Sequence, residues 1–334
     1  MPMKSFLRVW SSVLHSGQIA AVATVIHGLG SRPRENGAHM LVKTSGEIVG
    51  TVGGGRLEAD VIACAKQVLN DCTTRLHHFD LTGSSAMQTD MICGGVGDVF
   101  VYCSTLHDAQ VLDNMLLTES LDGWICYPTD AREGISYWPD SGPSLGAFIL
   151  DQEMMASLKE KDAALVEKAG QRYLIQRLTT QGKLHIMGAG HVSMEIAKIA
   201  YLVGMDYVVY DDRQEFLTSD RFPHIKCALL KDMAYPPEMT LGIKDMIAIV
   251  TRGHSYDMQN LAWALKTGAG YIGMIGSARK GAMIFDALIN KGYQKSRLTS
   301  VHTPIGLDIG AQTPQEIAVA IVAELIGYKH GKIQ

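Results

Sequence analysis

The sequence predicts an α/β protein in which a doubly wound parallel sheet is preceded by a smaller α+β domain. Residues 185–213, HIMGAGHVSMEIAKIAYLVGMDYVVYDDR, have the pattern of a strand, a glycine turn, a helix and a second strand ending on acids. The region beyond 180 alternates strand and helix patterns, as parallel sheets do. Its predicted strands lie near 184–187, 206–211, 225–229, 246–250, 270–275 and 298–302.

The first half of the chain is rich in strand patterns joined by short turns. We predict a helix over 4–15, strands in QIAAVATVIHG and AHMLVKTSGEIVGTV, a helix in GGGRLEADVIACAKQVLND and a strand in VGDVFVYCS. Ser45 and Gly46 would close a hairpin. The charged segment 151–170 is predicted to be a helical connector. The predicted domains are therefore 1–180 and 181–334.

Composition limits the classes of protein that fit. The chain has 334 residues, of which 47% are hydrophobic and 19% are charged, which suits two globular domains. A net charge of -4 provides no basic surface for nucleic acid. Apolar stretches within 1–28 are interrupted at His15, Gly17 and Gln18, and no run is long enough to span a membrane. We expect a cytoplasmic protein with no membrane or nucleic-acid partner.

Six cysteines are spread through the chain without a metal-binding or disulfide spacing. They are Cys64, Cys72, Cys93, Cys103, Cys126 and Cys227. Without a C-x-x-C motif or a His/Cys cluster, neither a zinc site nor a disulfide framework is indicated. Cys93 differs from the others because it lies in the glycine turn MICGG, where backbone N–H groups could favour its thiolate. A small buried residue before a bulge is an equally good interpretation.

The turn at Gly188-x-Gly190 has the context of a Rossmann-like phosphate loop. It follows an apolar strand and opens a helix at His191, whose N-terminus carries a partial positive charge. Asp211 ends the second strand at the distance where a carboxylate can accept from a ribose hydroxyl. Ser193 occupies the third small position, where the strict nicotinamide fingerprint has Gly or Ala. The alternative is a turn that serves packing only.

Further polar residues follow the other predicted strands, and strand ends form the binding edge of a parallel sheet. Ser277, Arg279 and Lys280 open a helix after a glycine and could form a second anion site. A lone histidine in such a position is more often a cap or a solvated residue, but the set as a whole favours function. The other candidates at this edge are Asp212, Arg213, His254 and His302.

The first domain has a glycine turn of its own, TVGGGRLEAD. Its expected contribution to phosphate binding is a set of free N–H groups and one guanidinium, from Gly53, Gly54, Gly55 and Arg56. The preceding loop GSRPRENG adds Ser31, Arg32 and Arg34, although an ordinary surface turn would have the same composition.

Taken in order, these motifs resemble those of the XdhC/CoxI family of xanthine dehydrogenase accessory proteins. The resemblance spans nearly the whole chain. It is carried by GSRPRENGAHMLV, GEIVGTVGGGRLEADV, MICGG, GAGHVSMEIA, YDDRQEF, YIGMIGSARK and HTPIGLDIGAQTPQEIAVAIVAELIG. It implies a chaperone that binds the molybdenum cofactor, as molybdopterin or its dinucleotide form, supports its sulfuration by a cysteine desulfurase and delivers it to a molybdenum hydroxylase of the xanthine dehydrogenase type.

Three functions remain open at this point. In a cofactor chaperone, the two glycine turns would hold phosphate and Cys93 would approach the molybdenum or its sulfur as a soft ligand. In an NAD(P)-dependent oxidoreductase, His254 or His302 would act as acid or base beside the nicotinamide. In a purely structural partner, the sheet edge would be vestigial. A homo-oligomer is possible under each of the three. The cysteine spacing does not suit the iron–sulfur clusters of xanthine dehydrogenase itself.

Overall fold

The computed structural model divides into two compact units, Met1–Thr180 and Gln181–Gln334. The structure describes most of the chain but leaves out residues at several places, and it leaves out the side chains of 27–30, 95, 226 and 254. The described ranges are 3–30, 37–80, 95–118, 120–130, 133–151, 154–155, 158, 162–168, 170–180, 182–223, 226–233, 235–236 and 239–333.

The described residues of the first unit form two antiparallel sheets and the three α-helices named below. One sheet has five strands in the order β3-β2-β1-β5-β4, and the other has four in the order β7-β6-β9-β8. The helices are α1 (Met3–His15), α2 (Gly55–Asp71) and α3 (Ala109–Leu117). The strands are β1 (Ala20–Gly30), β2 (His39–Lys43), β3 (Ile48–Gly50), β4 (Arg75–Asp80), β5 (Gly95–Ser104), β6 (Gly123–Pro128), β7 (Ser136–Pro139), β8 (Ala163–Lys168) and β9 (Gln171–Leu178).

Local sequence accounts for most of these elements. Phe6, Trp10 and Val13 recur at helical spacing and are buried, so α1 packs one apolar face into the core. The hairpin predicted at Ser45-Gly46 is confirmed, because β2 and β3 pair antiparallel on either side of it. Gly46 has a φ of 85°, a conformation that glycine adopts without steric cost.

The prediction of a helical connector over 151–170 was wrong for its second half. Residues Ala163–Lys168 form β8, which pairs with β9 through a hairpin at Gly170. Ala164 and Val166 lie two residues apart and both pack against the small core around Cys126. The alternation of inward and outward side chains therefore favours a strand, and Glu167, which alternates with them, is exposed.

The second unit contains a six-stranded parallel sheet with helices on both faces. Its order is β12-β11-β10-β13-β14-β15, which is the 3-2-1-4-5-6 order of dinucleotide-binding folds. The strands are β10 (Leu184–Met187), β11 (Tyr207–Asp211), β12 (Lys226–Leu229), β13 (Met246–Ile249), β14 (Tyr271–Met274) and β15 (Val301–His302). The helices are α4 (His191–Leu202), α5 (His254–Ala264), α6 (Ala278–Asn290), α7 (Lys295–Leu298) and α8 (Pro314–Lys329).

The helices of this unit cover the sheet as a doubly wound fold requires. α4 and α8 pack on one face through residues such as Ile196 and Ile321, while α5 and α6 pack on the other through Leu261 and Ile284. The predicted fold class, a Rossmann-like doubly wound sheet after an α+β domain, is confirmed. In the described part of the chain, no helix is long and apolar enough to cross a membrane. All six strands end at one edge of the sheet, where the candidate site lies.

Candidate functional site at the carboxyl edge of the parallel sheet

Gly188 closes the turn after β10 in a conformation that the fold itself demands. Its φ is 105°, and a Cβ atom at this position would lie 2.7 Å from the carbonyl oxygen of Val250. Its N–H donates to the carbonyl of Tyr210 at 2.7 Å. Gly188 is therefore needed for the close approach of β10, β11 and β13, whatever the site binds.

Gly190 differs from Gly188 because nothing in the fold requires it to be glycine. It is the N-cap of α4 with φ -74° and ψ -172°, and a Cβ atom here would meet no other atom within 4 Å. Among the described residues, no side chain accepts a hydrogen bond from the first turn of this helix. The N–H groups of that turn, beginning at the exposed His191, therefore have no intrahelical acceptor and no side-chain acceptor within the described part of the chain, which suits an anion.

Ser193 fills the third small position of the turn and is completely buried. Its hydroxyl has no hydrogen-bond partner among the described residues. A side chain one atom larger than alanine is thus accommodated at the contact between helix and sheet, and the departure from the Gly/Ala pattern does not disturb the turn.

Asp211 ends β11 as predicted, but its carboxylate is already occupied. Oδ1 accepts from the backbone N–H of Arg213 at 3.0 Å and from its Nε at 2.8 Å. Oδ2 accepts from the N–H of Ala189 at 2.7 Å and from Nη2 of Arg213 at 3.0 Å. Burial alone would raise the pKa of Asp211, yet these donors outweigh it and hold the pKa below its ordinary value. The carboxylate supports the turn and has no oxygen left for a ribose hydroxyl.

Two further arginines meet at the same corner. Arg252 donates through Nη2 to Asp212 at 3.1 Å, and the Tyr256 hydroxyl donates to the same carboxylate at 2.9 Å. Arg221 donates through Nη2 to the carbonyl of Ala189 at 2.8 Å, so it braces the glycine turn. Sequence reasoning missed Arg221 because the residue lies in an irregular segment far from any strand end.

The predicted second anion site at the start of α6 is largely committed to internal contacts. Lys280 forms an ion pair with the fully buried Asp257 and also donates to the carbonyl of Ile275 at 3.3 Å. The Ser277 hydroxyl accepts from the N–H of Lys280 at 3.2 Å and so caps the helix. Arg279 is exposed and lines a groove of about 490 Å³ between α5 and α6. Of the three, only Arg279 offers its charge to solvent.

His302 lies at the end of β15 and is oriented by a carboxylate. Its Nδ1 lies 2.6 Å from Oε1 of Glu324, whose other oxygen accepts from the N–H of Gly306. The Tyr271 ring stacks on the imidazole with 4.4 Å between ring centroids. Glu324 was missed by sequence reasoning, although the sequence held a signal, since it is the only charged residue in the apolar run IAVAIVAELIG. A carboxylate on Nδ1 fixes the tautomer that leaves Nε2 to accept a proton.

The glycine turn of the first unit is built differently. Gly53, Gly54 and Gly55 have φ values of 136°, 79° and 58°, so each needs glycine. The N–H of Gly53 donates to Thr51 Oγ1 at 3.0 Å, and that of Gly54 donates to Glu58 Oε2 at 3.2 Å. The expected free N–H groups at these two positions are therefore occupied. Arg56, the guanidinium of the prediction, is exposed and lies near Asp60, with 3.6 Å between Nε and Oδ2.

Four predicted site residues and one further side chain fall in the part of the chain that is not described. Ser31, Arg32, Arg34 and Cys93 lie outside the described residues. His254 begins α5 at the carboxyl end of β13, and its side chain is outside the description. Elsewhere in the described chain, no group of three or more His, Cys, Asp or Glu side chains is arranged to hold a metal ion.

Comparison with known proteins identifies the family. The model described as the XdhC Rossmann domain matches residues 184–325, and the model described as the XdhC and CoxI family matches residues 13–80. The chain belongs to the XdhC/CoxI family. The resemblance noted from the motifs is thereby confirmed in both units.

The individual relatives share about a quarter of their residues with this XdhC/CoxI chain, but the similarity extends over nearly all of it. A Bacillus subtilis protein named as a probable xanthine dehydrogenase subunit is 24% identical over 97% of both chains. The uncharacterized protein YqeB of Escherichia coli is 26% identical over 93% of this chain, which spans only 43% of that protein. A crystal structure described as a xanthine dehydrogenase from Bacillus halodurans superimposes with a TM-score of 0.80 at 25% identity, covering 100% of this chain and 97% of the other.

Proposed function

We propose that this chain is an accessory protein that binds the molybdenum cofactor, as molybdopterin or its dinucleotide form, and delivers it to a molybdenum hydroxylase of the xanthine dehydrogenase type. Membership of the XdhC/CoxI family and the xanthine dehydrogenase names of the relatives from two Bacillus species support an accessory role. Sulfuration of the bound cofactor by a cysteine desulfurase partner belongs to the same proposal.

The observation that carries the proposal is the open N-terminus of α4. Gly190 leaves space where a side chain would stand, and no side chain among the described residues accepts from the first N–H groups of the helix. The fit to a phosphate group is therefore good at this turn. At the first unit's turn it is poor, since Glu58 already places a carboxylate on the N–H of Gly54.

The roles of the chain's residues follow from that geometry. Gly190 and His191 would hold a phosphate of the cofactor, with Arg221 bracing the turn through Ala189. The bound cofactor would supply the metal centre that the hydroxylase later uses. Cys93 is proposed to approach that centre, because a thiolate is a soft ligand. The chain itself would bind, orient and shield the cofactor.

The test is the cofactor content of protein made in cells that synthesise the cofactor. We expect the wild-type protein to carry molybdenum and a pterin that oxidises to a fluorescent product. Gly190→Val should remove both, because its side chain would fill the space over the turn, while thermal stability stays close to wild type. Molybdenum content is measured by elemental mass spectrometry. Absence of molybdenum and pterin from the wild-type protein would refute the proposal.

One observation favours a second function, an NAD(P)-dependent oxidoreductase. The Glu324–His302 pair has the arrangement of an oriented acid–base histidine in a sheet with dinucleotide-binding topology. The occupied carboxylate of Asp211 weighs against it, since that side chain would have to read the ribose. Tight NADH binding with substrate-dependent hydride transfer would establish this second function in place of the first.

A further inference from the structure

The groove between α5 and α6 is lined by residues other than those of the Gly188–Gly190 turn. All of its lining residues belong to α5, to α6 or to the cap of α6, and none comes from β10, β11 or α4. Its volume of about 490 Å³ is that of a small-molecule site, since such sites enclose roughly 300–1,000 Å³. The groove therefore has room for a small organic ligand that the proposed function does not use.

One end of the groove is polar and positively charged. Ser255 lies in the first turn of α5 and Ser277 caps α6, and both helices begin at the carboxyl edge of the sheet. The exposed Arg279 lies at the same end and pairs with no carboxylate among the described residues, whereas Lys280 is paired with the buried Asp257. A single carboxylate could accept from the guanidinium and from a serine hydroxyl.

The other end of the groove is apolar. Met258 lines it from α5, and Met283, Ile284 and Ala287 line it from α6. Because an α-helix rises about 1.5 Å per residue, Met283 lies roughly 9 Å further along α6 than Ser277. Met283 is 66% exposed, so a large apolar side chain is left in contact with water. A thioether packs favourably on an aromatic ring and adapts to its shape.

We propose that this groove binds a small aromatic carboxylate, with the carboxylate on Arg279 and the ring against Met258 and Met283. One uncompensated guanidinium selects a ligand with one negative charge. The two thioethers favour a ring over an aliphatic chain, and a flat, rigid ligand loses less conformational freedom on binding than a flexible one. This site goes beyond the proposed cofactor role and does not depend on it.

The test is isothermal titration of the full chain with cinnamate, its neutral amide cinnamamide and the aliphatic octanoate. We expect cinnamate to bind more tightly than either of the others. Arg279→Gln should weaken cinnamate about fivefold, as fits the loss of an exposed ion pair, and leave cinnamamide unchanged. Met283→Gln should weaken cinnamate and cinnamamide alike, because it replaces apolar surface by a polar side chain of similar length.

Matched variants control for the two substitutions. Arg8→Gln makes the same change at an exposed arginine of α1, and Leu202→Gln removes an exposed apolar side chain from α4. Neither should alter the titrations. Gly190→Val should also leave cinnamate binding unchanged, since Gly190 does not line the groove, so loss of the cofactor and loss of this site are distinguishable. Thermal unfolding checks that each variant folds.

The inference is overturned if the wild-type protein binds no cinnamate at millimolar concentration. It is also overturned if cinnamamide binds as tightly as cinnamate, since the anion would then not be recognised, or if octanoate does, since the ring would then not matter. Unchanged cinnamate binding in Arg279→Gln would exclude this residue as the anion's partner and overturn the assignment of the site.

Discussion

The two glycine turns of this protein share a local design and differ in one residue that decides their chemistry. Each turn follows a strand and opens a helix, with Gly54 as the N-cap of α2 and Gly190 as the N-cap of α4. Four positions after the cap, α2 has Glu58 and α4 has Met194. The Glu58 carboxylate reaches back to the N–H of Gly54 and to the Thr51 hydroxyl, so the first turn contains its own anion.

Met194 cannot do the same, because a thioether carries no charge and this side chain packs against the core of the second unit. Within the described residues, the positive end of α4 therefore has no carboxylate on its first turn, whereas that of α2 is neutralised from within. A glycine-rich turn before a helix is thus a sign of anion binding only where the helix itself supplies no carboxylate to its first turn.

The largest expected effect separates folding from binding within the second turn. Gly188→Ala should cost about 3 kcal/mol of unfolding free energy, because its φ is unsuitable for alanine and its Cβ would press on the Val250 carbonyl. Gly190→Ala should cost less, about 1 kcal/mol, because alanine is a poorer N-cap than glycine but its Cβ meets no neighbouring atom. Urea denaturation measures both, with amide exchange of β10 assigning the transition. Equal stabilities would show that the close approach at Gly188 is not a constraint.

The second prediction converts one turn into the other. Met194→Glu would place a carboxylate at the position that Glu58 occupies in α2, and repulsion at the helix terminus should weaken pyrophosphate binding about tenfold. Met194→Gln has nearly the same size without the charge and is the matched control. If the two variants bind pyrophosphate equally well, the fourth residue of the helix does not decide the chemistry of the turn.

The smallest expected effect concerns what the first unit contributes. If its glycine turn holds no ligand, its proposed contact with the cofactor is Cys93. Cys93→Ser should keep the fold and lower the molybdenum content a few-fold. Cys64→Ser is the control, since burial raises the pKa of Cys64 and makes this thiol a poor ligand. Cys93 should also react with a thiol reagent faster than the exposed Cys72. Full molybdenum retention in Cys93→Ser would exclude this role.

The sequence predicted the elements where periodicity and turn residues agree. The strand, turn and helix from Leu184 to Leu202 are such a case, as is the hairpin at Gly46. It failed at 163–168, where a high density of charge concealed the period of two in Ala164 and Val166. Charge content reports solvent exposure, and both a surface helix and an edge strand are exposed.

Within the candidate site, the sequence determined which residues follow each strand, since order along the chain fixes the carboxyl edge of a parallel sheet. Only the tertiary structure decided what those residues do. Lys280 and Asp211 have the right chemistry for ligand recognition, yet Lys280 is paired with Asp257 of the preceding helix and Asp211 accepts from the N–H of Ala189 in the neighbouring turn. The physical reason is that a charged side chain a few ångströms from its counter-charge is no longer free to bind a ligand. That distance is set by packing and not by order in the chain.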